Sequence, residues 1–339
     1  MSKTKTKKYT HKYSDKPFTI DDARNFVLKV KKLEGCTEST LRNYEKVFND
    51  FDRFFGEKTN IKTLTVDDAR NFMYWQLNEK TQYLNQPTWK NKKKGVSVNT
   101  ANMYLNFAKG VFRVLKDENI VEENIFQNIK RIKDSEKKIE TLAPQEISRL
   151  LRSLDLKLYA EFRTYVMIHV LLDTFGRIGE ILSLTWNDVD FEHQCITFKN
   201  TKNRKTRIVP ISKKTVKLLQ EWYDEIEEFD SEYVFLTNTG TPLDANTFRK
   251  NLYRYAKRAG IKKRVHPHLF RHSASEMFLR QNGSIRVLQK ILGHSDLAVT
   301  SRYAHVLDST IREQHQQFSP LNLIEEKEKR KIKRKGVVK

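Results

Sequence analysis

Cysteine is scarce in this chain. Its 339 residues include two, Cys36 and Cys195, far apart and in no CxxC or Cys/His cluster. A disulfide framework and a structural zinc site are therefore not expected, and a reducing compartment is the default. No apolar run approaches the roughly 20 residues of a membrane-spanning helix. The opening MSKTKTKKYTHKYSDK has no apolar core of the secretory-signal kind. HExxH, P-loop and GxGxxG patterns are absent, so no cofactor is expected. No cluster of carboxylates suggests a two-metal nuclease. Acids are the scarcer charge, with 42 Asp+Glu against 64 Lys+Arg and a formal net charge of +22. That excess favours a polyanionic partner, nucleic acid ahead of a membrane surface. A cytoplasmic, nucleoid-associated location is expected.

What is present is mostly helical patterning. Residues 1–16, with six lysines and one aspartate, read as a basic disordered tail. Residues 17–130 read as a helical domain, with apolar positions at helical spacing over 19–31, 40–55, 66–77 and 98–115. TIDDARNF (19–26) recurs 46 residues later as TVDDARNF (65–72), and each copy opens with a Thr/Asp capping pair. Two copies are too few for a repeat architecture. KNKKKG (90–95) reads as a lysine-rich loop, solvated or touching phosphate. The charged RIKDSEKKIE marks a linker over 131–141.

From 142 to 318 a second domain is expected, and 319–339 read as a basic tail. Helices are expected near 144–154, 158–174, 178–184, 212–228, 244–258, 268–281, 284–292 and 295–304. QCITFK (194–199) and TRIVPI (206–211) predict a hairpin, and YVFL (233–236) a third strand. The fold class is mainly α with a small antiparallel sheet.

Between His266 and Tyr303 the chain places His268, Arg271, His294 and Tyr303 at spacings of three, twenty-three and nine. His268 and Arg271 share a helix face behind Pro267, where free N–H groups and the helix dipole favour an anion. Arginine adds a permanent charge and a fork matched to phosphate oxygens. His294 sits at a Gly293 helix break, and Tyr303 follows on the next helix. Upstream, Arg177 follows an apolar helix with Glu180 one turn on, where it can orient Arg177 or a histidine. Lys202 and Lys205 lie in the hairpin loop. Each residue alone fits a solvated face, a helix joint or half-buried core.

Together they resemble the tyrosine recombinase, or phage-integrase, family in its Xer-like branch. That family's order is an arginine after a catalytic helix, a hairpin lysine, HxxR, GH, and a tyrosine nine residues on. Here the pattern falls on Arg177, Lys202, His268 with Arg271, Gly293 with His294, and Tyr303. LGHSDLAVTSRYAHV matches the family's last box, and the likeness covers roughly 144–318. Over 18–130 the likeness extends only to a helical core-binding domain. There are two departures. The chain has TFGRIGE where the family often reads TGxRxxE, and TKNRKTR where the hairpin usually reads GKGNKER, which leaves Lys205 as a rival to Lys202.

The resemblance implies a C-shaped clamp of two domains on double-stranded DNA. It also implies four protomers on two DNA sites, with an accessory directionality factor as an option. Tyr303 would attack a phosphodiester and form a 3′-phosphotyrosyl intermediate without metal or ATP. Arg177 and Arg271 would neutralise the phosphorane. His294 would hydrogen-bond a non-bridging oxygen, His268 would handle the tyrosine proton, and Lys202 would protonate the leaving 5′-oxygen. Glu180 would be an accessory residue. The segment 307–318, helical in spacing, would pack on a neighbouring subunit. The rivals are a topoisomerase-like enzyme with the same nucleophile and a DNA-binding regulator with a dead recombinase fold.

Overall fold

The computed structural model describes residues 16–81, 93–134, 140–199 and 206–293. The chain divides into two compact units, Met1–Lys137 and Lys138–Lys339.

The first unit is helical: α1 (Ile20–Leu33), α2 (Glu38–Phe55), α3 (Val66–Asn78) and α4 (Val98–Asp117). The repeated octapeptide explains two of these starts. Thr19 and Thr65 each accept from the N–H three residues on, while Asp22 and Asp68 accept from the threonine N–H. The fourth position after each cap is a fully buried alanine, Ala23 and Ala69. Phe48, Phe51, Phe72, Phe112 and Phe126 form a dry aromatic core, with Phe51 and Phe72 centroids 5.0 Å apart. The chain beyond α4 stays on this unit: Phe126 is in the core, and Asn102 holds Ile132 through both its N–H and its carbonyl.

The second unit surrounds α6 (Tyr159–Thr174), which is buried on most sides, polar residues such as Arg163 and Thr164 included, and so is the central element. Val166, Met167, Ile168, Val170 and Leu171 are buried along it. Around it lie α5 (Pro144–Arg152), α7 (Ile178–Leu182), α8 (Lys213–Ile226), α9 (Ala245–Arg258), α10 (Pro267–Arg280) and α11 (Ile285–Leu292). A three-stranded antiparallel sheet runs β1 (Val189–Asp190), β2 (Cys195–Phe198), β3 (Arg207–Pro210) in spatial order. Ile196, Phe198 and Val209 face inward, while Ile208 points out at 66% exposure.

The expected third strand at 233–236 is not one. Its residues make only isolated bridges, Thr185 with Tyr233 and Leu236 with Pro242, and the third strand is β1. Val234, Phe235 and Leu236 are fully buried, so that run is apolar because it crosses the core beside Trp222. The expected segments at 295–304, 307–318 and 319–339, residues 1–15 of the expected tail at 1–16 and residues 90–92 of the expected loop at 90–95 lie outside the described residues.

Candidate active site

Two buried helix joints build the site. At the first, α6 ends on Phe175 in the left-handed region, φ 54°. Gly176 follows because a Cβ there would meet Ile181 Cδ1 at 2.6 Å. This accounts for TFGR: the glycine is required by close approach, and a phenylalanine takes the left-handed turn. The Phe175 ring is held against Phe278, edge to face at 5.9 Å.

Arg177 then caps α7. Its backbone N–H donates to Glu180 Oε2 at 2.8 Å, and its Nη1 donates to Oε1 at 2.9 Å. Glu180 is 4% exposed and takes two more bonds, from Arg207 Nη1 to Oε1 at 2.9 Å and Arg207 Nη2 to Oε2 at 2.7 Å. Each carboxylate oxygen thus receives two donors, about its full capacity. Burial alone would raise the Glu180 pKa, but the Arg207 bonds and the Arg177 N–H outweigh it and hold the group at about 2. A saturated, ionised carboxylate cannot carry protons, so Glu180 orients cations. The Arg177 side chain is 25% exposed, and its Nε and Nη2 have no acceptor among the described residues.

At the second joint, α10 begins at Pro267 with His268 exposed on its first turn. Partial removal from water, then the charges of Arg271, His266, Arg177 and Arg249, push the His268 pKa below its ordinary value. Arg271 is buried; its Nη1 donates to the Phe175 carbonyl at 2.6 Å and its Nη2 to the Leu292 carbonyl at 2.8 Å. Leu292 ends α11, and Gly293 caps it at φ 65°.

Sequence reasoning missed Arg207. Its signal was the strand alternation: Arg207 and Val209 are two apart, and Val209 is buried. Arg207 pairs with Phe198 across the sheet, its guanidinium 4.5 Å from that ring centroid. Lys199, at the start of the hairpin loop, is paired to Asp188 at 2.5 Å. Lys202, Lys205, His294 and Tyr303 lie outside the described residues.

The site thus lies in a mostly helical unit with a small antiparallel sheet, with Arg271 joining the start of α10 to the turn before Arg177. The sequence profile of the phage integrase family matches residues 140–310, half the chain, and the chain belongs to that family. It is 26% identical over 312 residues to tyrosine recombinase XerD of Listeria innocua, covering 89% of this chain and 98% of the relative. A tyrosine recombinase of Pseudothermotoga lettingae is 30% identical over 200 residues, 59% of this chain and 68% of the relative. The fold is also that of the Tn1549 transposon integrase in complex with transposon right end DNA (TM-score 0.69, 18% identity, 89% of this chain and 99% of that one). A lambda integrase dimer bound to a COC′ core site shares it as well (TM-score 0.66, 16% identity, 86% and 78%).

Proposed function

We propose that the chain is a site-specific DNA recombinase that cuts and rejoins duplex DNA through a phosphotyrosine. The observation that carries this is the joint that Arg271 closes: from the first turns of α10, behind Pro267, it donates to the Phe175 carbonyl, two residues before the half-open Arg177. Family membership and relatives named tyrosine recombinases support it.

In this reading the scissile phosphate sits over the first turn of α10, facing the side of Arg177 that Glu180 leaves open. Arg177 and Arg271 offset the charge of the pentavalent phosphorane. A neutral His268, favoured by its lowered pKa, takes the Tyr303 proton as the phenol attacks. The strand 3′ end is then linked to Tyr303, and Lys202 protonates the departing 5′-oxygen, with Lys205 its rival. His294 bonds a non-bridging oxygen. Reversal with a new 5′-hydroxyl rejoins the strand and needs no ATP, because the phosphotyrosine conserves the ester energy. The domain plan is 17–130 for core binding, a linker at 131–141 and 142–318 for catalysis. Four protomers act on two sites, with room for an accessory directionality factor, in the cytoplasm at the nucleoid.

The test is a duplex carrying the inverted repeats that flank the coding region, nicked next to the cleavage position so that the cut is trapped. A covalent protein–DNA adduct with the full chain, absent in Tyr303→Phe, is the expected result. No adduct, or an adduct that survives Tyr303→Phe, overturns the reading.

A further inference from the structure

Arg207 stands between both joints of the site. Its guanidinium fills one side of the Glu180 carboxylate, with the two bonds given above, and its side chain is 9% exposed. On its other side its Cδ lies 3.2 Å from where a Cβ on Gly293 would be. Phe198 covers the guanidinium, and the Nε is buried without a hydrogen-bond partner. An arginine held this way cannot turn outward to a substrate. Its chemistry goes into Glu180, and through Glu180 into Arg177.

The geometry of a carboxylate shows what that does. Left with one arginine, a buried carboxylate takes it in a two-pronged pair, both terminal nitrogens on both oxygens. Here Arg207 already holds that two-pronged position. Arg177 is left a single side-chain bond to Oε1, which turns one terminal nitrogen to Glu180 and leaves the other to the open side. The charge count agrees: one carboxylate between two guanidiniums leaves a net positive charge at the pair. Without Arg207 that charge falls to zero.

We infer that Arg207 is a positioning residue that occupies Glu180 so that Arg177 keeps one face, and a net positive charge, for a phosphate. Its stem also lies over Gly293, where a Cβ would meet it, next to the turn just before His294. The inference rests on the recombinase reading for the identity of the phosphate, but the ion-pair geometry stands apart from it.

The charge logic gives a test that simple loss of packing does not mimic. Arg207→Met keeps the apolar stem over Phe198 and removes the guanidinium. Arg207→Met with Glu180→Gln also removes the carboxylate that would capture Arg177. In single-turnover cleavage of the nicked duplex at saturating DNA, Arg207→Met is expected to slow adduct formation on the order of 10²-fold, the usual scale for losing one oxyanion donor. The double variant is expected to recover at least about a tenth of the wild-type rate. Arg207→Lys, which keeps a charge but not the fork, should fall between them. Circular dichroism and melting confirm that each variant is folded. Wild-type-like cleavage by Arg207→Met, or a double variant no faster than it, overturns the inference and leaves the recombinase reading intact. If the wild-type chain forms no adduct, that reading fails instead. Arg207 is then judged by affinity for a short duplex, measured by fluorescence anisotropy. Weaker binding in Arg207→Met, restored by adding Glu180→Gln, supports the inference, and equal binding in all three overturns it.

Discussion

Arg271 joins two helix ends 117 residues apart in sequence, donating one terminal nitrogen to the Phe175 carbonyl and the other to the Leu292 carbonyl. One planar fork therefore fixes the turn before Arg177 and the turn before His294 together. Lysine offers a point charge and cannot reach both carbonyls. Arg271→Lys leaves at least one buried carbonyl unpaired, which costs about 1–3 kcal/mol. The expected outcome is a lower melting temperature together with loss of cleavage. An unchanged melting temperature would show that the fork is not holding the joint.

Phe175 gives a sharper comparison. Its backbone is left-handed at φ 54°, yet its ring is buried against Phe278. Phe175→Ala loses the ring and keeps the strain of a Cβ in that region. Phe175→Gly loses the same ring but relieves a strain of roughly 1–2 kcal/mol. Both variants should be less stable than wild type, with the glycine variant more stable than the alanine one in urea denaturation. The opposite order would mean that the backbone relaxes on truncation.

The sequence made these two joints unequally legible. HxxR behind Pro267 declared a helix start and a charged face, and the helix begins there. Thr19 and Thr65 announced α1 and α3 in the same way, because a cap works through neighbours three residues away. Phe175 was not legible: the glycine of TFGR invites a left-handed turn at 176, but that glycine is needed for close approach to Ile181. Arg207 was half legible. Alternation with Val209 turns it inward, but its partner Glu180 is 27 residues away and only the fold brings them together. The run at 233–236 misled for a related reason, since four apolar residues look alike in a strand and in a core-crossing loop.

Glu180 makes acid stability a readout of the pair. Its folded pKa of about 2 lies below the ordinary 4.5. A depressed carboxyl contributes stability above its unfolded pKa and loses it as pH falls through the folded one. The contribution of Glu180 should therefore be complete above about pH 5 and fade toward pH 2. Glu180→Gln should be less stable than wild type at neutral pH, with the gap closing in acid. Melting both proteins between those limits checks it, and a gap independent of pH would mean that the carboxylate charge is not what holds the arginines.

In the first unit, a buried ion pair sits among aromatic rings and offers the clearest separation of breaking a pair from replacing it. Lys80 Nζ donates to Asp50, which also takes Gln76 Nε2 at 2.7 Å. Both charged side chains are under 8% exposed, and the ammonium lies 4.2 Å from the Tyr104 ring centroid. Burial pushes the Lys80 pKa down, and only Asp50 offsets it. Lys80→Met leaves the buried Asp50 carboxylate with only Gln76 and the more distant, half-exposed Arg53 at 3.7 Å, a loss of up to about 3–5 kcal/mol for pairs of this kind. Lys80→Met with Asp50→Leu removes both charges and leaves only the neutral Gln76 amide without its two partners, a smaller cost than an uncompensated buried charge. The single variant should accelerate hydrogen exchange in the α3 and α4 peptides well beyond the double variant. If the double exchanges as fast as the single, the pair is holding these helices by its geometry and not merely by compensating its own desolvation.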